Sequence, residues 1–313
     1  MIVRNFLCVL VLLAGGWGSL QGQYATRLRV AKDGTGDYTS IQAAINDAKA
    51  FPDEPVIIAI GPGIYEEKVR VYPWNTRLVL EGADAATTII RYRDHFKQVN
   101  LGRNSTFHTW TLSVEADDVI LRNLSIINAA GPVGQALALS ITGDRCVVER
   151  CVLKGYQDTL YCSGEGARQY FRECTIEGTT DFIFGNATVL FESCTLHSLA
   201  DSYITAASTT PRQDYGFVFR YCELTAAPRV TRVFLGRPWR KYAKTVFLHC
   251  EYGPHILPEG WERWSNTTAP ETTFYAEYRE KPVPGRVPWS KQLRRRDLKQ
   301  YSLPKIFRDW TPE

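Results

Sequence analysis

Apolar residues recur along this chain in short bursts. The segments VVERCVL (147–153), YFRECTI (170–176), LFESCTL (190–196), VFRYCEL (218–224) and VFLHCEY (246–252) repeat one pattern. Each carries a cysteine: Cys151, Cys174, Cys194, Cys222 and Cys250, spaced 23, 20, 28 and 28 residues apart. Three residues before the cysteine stand Val148, Phe171, Phe191, Phe219 and Phe247. Two residues after it stand Leu153, Ile176, Leu196, Leu224 and Tyr252. Asn123, 28 residues before Cys151, takes the same slot, with Ile120 and Ser125 in the flanking places.

Short β-rich runs at a period of 20–28 residues predict a solenoid, because each unit is too short to close a core of its own and must stack on its neighbours. A sandwich also contains alternating strands, but here spacing and residue type agree together. The fold class predicted is all-β, a single-stranded parallel β-helix. The Phe column becomes an inward aromatic ladder and the cysteines small apolar fillers. The offset between the Phe and Cys positions is odd, so a bend must lie between them.

Outside the repeat, strands are expected at 27–30, 56–60, 77–80 and 88–92. Ser40 is placed to cap a helix running to about Lys49, which would cover the open first coil. Residues 93–110 read as a polar loop, the coils run from about 110 to 252, and Pro- and Trp-rich loops lead to a helix near 291–300. No linker divides the chain, so residues 23–313 form one domain.

Residues 1–22 have the form of a secretory signal: Arg4, an apolar run from Phe6 to Ala14, then small residues. The run is too short to span a bilayer. A secreted or periplasmic protein is expected, with no membrane attachment after cleavage. Seven cysteines then remain, and Cys194 and Cys222, on consecutive coils, are candidates for a disulfide. The cysteines and the five histidines have no metal-ligand spacing, so no metal and no cofactor is expected. The net charge of +4 suits an acidic polymer. The basic run KQLRRRDLK (291–299) reads as a solvated helix, and no stacking motif accompanies it, which argues against nucleic acid. Of the four glycosylation sequons, at Asn104, Asn123, Asn186 and Asn266, Asn123 is expected to point inward.

Polar groups inside apolar runs mark the candidate chemistry, since a buried charge is costly unless paired. They fall in GQALALS (134–140), GYQDTLY (155–161), GTTDFIFGN (178–186) and LGRPW (235–239). Asp158 and Asp181 each lie seven residues after a ladder cysteine. Equal register puts them on neighbouring strands about 4.8 Å apart. Two carboxyl groups that close separate their pKa values, one becoming a nucleophile and the other an acid. Asp201, seven residues after Cys194, is read as a turn aspartate.

These motifs, with VAKDGTGDYTSIQAAI (30–45), GIYEEKV (63–69), GWERW (260–264) and FYAEY (274–278), resemble the pectin methylesterases over nearly all of the mature chain. The resemblance implies a right-handed parallel β-helix and hydrolysis of methyl esters on the galacturonate units of pectin. It makes Asp181 the nucleophile, Asp158 the acid and then the base, and the amides of Gln157 and Gln135 the oxyanion donors. Arg237 is the arginine that binds the nucleophile, and Trp239 is a sugar platform. Tyr156, Tyr161, Phe182 and Tyr203 are candidates to line the groove. Pectin is the implied partner, met by a monomer. Three segments depart from the family pattern: ITAA (204–207), Gly134 before Gln135, and VPGR (283–286). The first would remove a polar side chain from the groove. A β-helical lyase or hydrolase, a related esterase of other specificity, or a non-catalytic sugar binder are the competing readings. The Asp-Asp pair at 117–118 has no His-Gly to accompany it, as a galacturonan hydrolase would require.

Overall fold

The computed structural model describes residues 24–264 and 270–312. The leader at 1–22 and the sequon at Asn266 lie outside the described residues. Among the described residues, the strands assemble into three parallel sheets of eleven, eight and seven strands. Each central coil gives one strand to each sheet: Arg168–Arg172, Thr175–Gly178 and Ile183–Gly185 in one coil, Thr188–Glu192, Thr195–Ser198 and Tyr203–Ala207 in the next. This is the parallel β-helix that the repeat predicts.

The Phe column stacks inside it. Phe171, Phe191, Phe219 and Phe247 pair in register and are fully buried. Their ring centroids lie 4.9, 4.5 and 4.3 Å apart, with planes tilted 26°, 7° and 10°. The bend sits at the residue just before each cysteine. Arg150, Glu173, Ser193, Tyr221 and His249 all have φ between 49° and 56°. One left-handed residue turns the chain from the eleven-stranded to the eight-stranded sheet and lets both the Phe or Val two residues before it and the cysteine just after it face inward.

Asn123 belongs to this corner column, not to the cysteine slot. Val148 pairs with Leu121 and Val152 with Ser125, so Leu124 is the partner of Cys151. Leu124 is fully buried. Asn123 has φ 56°, and its side-chain oxygen accepts from Arg150 Nε at 3.1 Å. The inward assignment was one residue out because this coil is 27 residues long, and Asn is among the residues that tolerate left-handed backbone.

All seven described cysteines are free, buried thiols. Cys174, Cys194, Cys222 and Cys250 donate to the carbonyl oxygens of Val148, Phe171, Phe191 and Phe219 on the preceding coil, at 3.4–3.7 Å. Cys194 and Cys222 therefore form no disulfide. In-register neighbours stand about 4.8 Å apart, wider than the roughly 3.8 Å between Cβ atoms that a disulfide requires.

Helix Ile41–Asp47 starts where Ser40 accepts from the Ala43 amide, and it buries Ile41, Ala44 and Ile45. The expected loop at 93–110 contains a helix, Phe96–Val99, and a 3-10 turn, Gly102–His108. The coils continue past 252 through the strand Phe274–Tyr278. The helix expected at 291–300 is instead a two-residue strand, Lys291–Gln292, and a 3-10 helix, Arg295–Tyr301, followed by helix Leu303–Phe307. Lys291–Gln292 extends the edge of the eleven-stranded sheet. Tyr301, Ile306 and Phe307 then cover an apolar patch on its outer face formed by Tyr170, Leu190, Val218 and Val246. Packing on that patch overrides the helical tendency of the charged run.

Candidate active site

Asp158 and Asp181 occupy the same place on adjacent coils. The strands Leu160–Cys162 and Ile183–Gly185 pair Leu160 with Ile183, which sets Asp158 beside Asp181. The Asp158 amide donates to Thr180 O, and the Asp181 amide to Tyr203 O. Both aspartates have left-handed backbone, φ 66° and 50°. They stand at the corner before the seven-stranded sheet, as the corner column does before the eight-stranded one. Asp is one of the few residues that adopt this conformation readily. Asp201 is not in the row: Tyr203 holds the equivalent register, and Asp201 accepts the amides of Thr231 and Arg232 in an exposed turn.

Glycines in two motifs make room for this. A Cβ on Gly178 would come within 2.3 Å of Phe182 Cβ, and one on Gly236 within 1.9 Å of Thr205 Oγ1. Gly236 ends the strand Phe234–Gly236, and the next residue, Arg237, reaches back two coils' width of the sheet. Its Nε and Nη2 donate to the two oxygens of Asp181 at 3.0 and 2.7 Å. The rings of Tyr203 and Trp264 each lie 4.0 Å from the guanidinium carbon. The Tyr203 hydroxyl donates to Glu262, which fixes that ring, and the Tyr203 ring also stacks on Phe234 at 5.5 Å.

Burial pushes the Asp181 carboxyl above the usual range, and the Arg237 hydrogen bonds pull it back. Burial and then the charge of Asp181 push Asp158 well above that range, with only the more distant Arg237 opposing. Asp181, buried and held by two charge-assisted hydrogen bonds, is the first of the pair to ionise. Of the two, Asp158 is pushed the further toward its protonated form.

Gln135 and Gln157 form a parallel bridge on adjacent coils and line the same cleft, of about 410 Å³. Among the described residues neither side-chain amide makes a hydrogen bond, so both are free to donate into the cleft. Trp239 lines it too, in edge contact with Phe184 at 6.0 Å. Tyr161 supports the floor, its ring 4.8 Å from Phe184 and 5.0 Å from Phe107.

None of the four proposed groove residues lines the cleft itself: Tyr161 packs behind Phe184 and Phe107, Tyr203 lies against Arg237, and the other two are elsewhere. Phe182 is fully buried in the interior of the coil, because the left-handed Asp181 resets the alternation and turns residues 182 and 183 inward; Phe184 faces the cleft instead. Tyr156 is half-buried outside the cleft lining. Ala207 is fully buried in the core, so the ITAA departure falls in the coil interior, while Ala206 borders the cleft. Sequence reasoning missed Arg103, Asn104, Thr106 and Phe107, which wall one side, and Arg240 and Trp264 on the other. Trp264 had a signal, the GWERW motif. The 102–108 turn had none, because only coil stacking carries it to the cleft.

A family profile described as Pectinesterase matches residues 27–306. Pectinesterase 31 of Arabidopsis thaliana is 34% identical over 279 residues, covering 85% of this chain and 87% of the relative. The structure of pectin methylesterase from carrot matches with a TM-score of 0.83 and 30% identity, covering 89% of this chain and 92% of that one. A pectin methylesterase in complex with a hexasaccharide matches with a TM-score of 0.77 and 27% identity over 91% of this chain and 98% of that one. Profile, sequence and fold agree over almost the whole described region, and the chain belongs to the pectinesterase family.

Proposed function

We propose that this protein is a secreted pectinesterase that hydrolyses methyl esters of homogalacturonan through an Asp181 acyl-enzyme. The observation that carries this reading is the Arg237–Asp181 ion pair set one strand from Asp158, whose carboxyl burial and the Asp181 charge push well above the usual range. A similar esterase binds a hexasaccharide, which supports an oligogalacturonan as the occupant of the cleft.

The ionised Asp181 attacks the ester carbonyl carbon. The developing oxyanion takes hydrogen bonds from the Gln135 and Gln157 amides, each contributing about 3 kcal/mol in comparable sites. The C–OCH3 bond breaks, and the leaving oxygen takes the Asp158 proton to give methanol. Asp158, now a carboxylate, removes a proton from water, and the resulting hydroxide attacks the acyl carbon. Collapse frees the galacturonate carboxyl group and restores Asp181 as a carboxylate and Asp158 as an acid. Trp239 offers its face to a sugar ring, while Arg237 holds the plane of the Asp181 carboxylate. The N-terminal signal supports export.

Incubation with highly methylated pectin tests the reading. Methanol should appear without new reducing ends. New reducing or unsaturated ends would mean depolymerisation, and neither product would leave a sugar binder.

A further inference from the structure

The positive charge of this chain is concentrated at one end of the coil. Residues 277–299 hold eight Lys and Arg against three Asp and Glu, a net +5, whereas the whole chain carries only +4. The strand Lys291–Gln292 is the last of the eleven-stranded sheet, and the 3-10 helix Arg295–Tyr301 follows it directly. Lys291, Arg294, Arg295, Arg296 and Lys299 are all exposed on this edge. Arg296 has one loose contact, 3.9 Å to Asp297, with the two side chains 73% and 40% exposed. Among the described residues the other four make no ion pair. Lys291 rests over the ring of Phe274 at 4.6 Å.

We infer that this terminal basic edge is a second binding surface, remote from the cleft, for a polyanionic sugar chain, namely the de-esterified galacturonan that the enzyme makes. The partner rests on the function proposed above; the surface does not. The cleft opens on the seven-stranded sheet, around Phe184 and Ala206, whereas the basic edge belongs to the eleven-stranded sheet. Each exposed ion pair is weak on its own. Several of them facing a polymer that repeats its charge at every sugar act together, because after the first contact the others become intramolecular. The field of a clustered patch also draws in a polyanion from solution. The arrangement keeps the enzyme on polymer it has already processed without occupying the cleft.

The test is retention on immobilised polygalacturonate, with saturating short oligogalacturonate present to fill the cleft. The wild type should be retained at low salt and released as screening rises. A Lys291→Gln/Arg294→Gln/Arg295→Gln/Lys299→Gln variant should lose about tenfold in retention. Its turnover of a short methylated oligomer should match the wild type, which also shows that it folds. An Arg295→Glu/Lys299→Glu variant, which makes the same change of charge at only two exposed positions, should lose retention in the same direction. Equal retention of variants and wild type would overturn the inference. A wild type that releases no methanol would instead count against the proposed function, leaving the retention result to be read by itself.

Discussion

Asp181 sits between two opposed influences, and its chemistry follows from their balance. Burial raises its pKa, and Arg237 lowers it. Removing the guanidinium leaves burial unopposed, so Arg237→Ala should move the acid limb of the kcat profile to higher pH, besides lowering kcat. An unmoved acid limb would mean that Arg237 does not set the charge of Asp181. Asp181→Ala should cut methanol release on the order of 10³-fold or more, with an unchanged circular dichroism spectrum. Asp158 carries a linked cost. Its folded pKa is raised, so between the unfolded value of about 3.9 and the folded one the native state binds the extra proton. Stability must therefore fall as pH rises through that window. Asp158→Asn removes the titrating group. It should raise Tm near neutral pH while abolishing turnover, and an unchanged or lower Tm would contradict the assignment of a protonated Asp158.

Ladders and corners explain how such short strands hold these groups in place. The described strands are two to five residues long, and those inside a sheet are secured by side-chain columns on both neighbouring coils. Phe219 stacks on Phe191 and Phe247 at 4.5 and 4.3 Å and is fully buried. Phe219→Ala should cost about 3–5 kcal/mol, read as a shift in the denaturant midpoint, and more than an equivalent change at half-exposed Phe234. The thiols of Cys151, Cys194, Cys222 and Cys250 are buried among the coil's apolar side chains and serve as small fillers. The Gly102–His108 turn plays the complementary part. Its Phe107 ring wedges against Tyr161, and so it fixes the wall of the cleft opposite Trp239 and Arg240.

Taken as one body, the β-helix has an outer apolar patch that its coils alone leave uncovered. The C-terminal segment covers it, latched by Arg168, which donates to Phe307 O at 2.9 Å and pairs with Asp309 and Asp144. Deleting residues 301–313 should expose Tyr170, Leu190 and Val218, lower Tm and raise binding of an apolar dye. Retention of the full Tm would show that the patch needs no cover.

The amino-acid order alone carried the period of the coil, the inward Phe and Cys columns, the paired aspartates and the motifs around them. Those are properties of local pattern: each repeat restates which residue types face inward. Other features were invisible until the coils were stacked. A single left-handed residue resets the alternation at each corner, so Phe182 faces the core, Phe184 faces the cleft, and Asn123 falls one position from the inward slot. The clasp of Tyr203 and Trp264 on Arg237 and the wall formed by residues 102–108 join segments separated by tens of residues. Their positions depend on strand register and on loops that follow the stacked surface, and no short stretch of sequence encodes either.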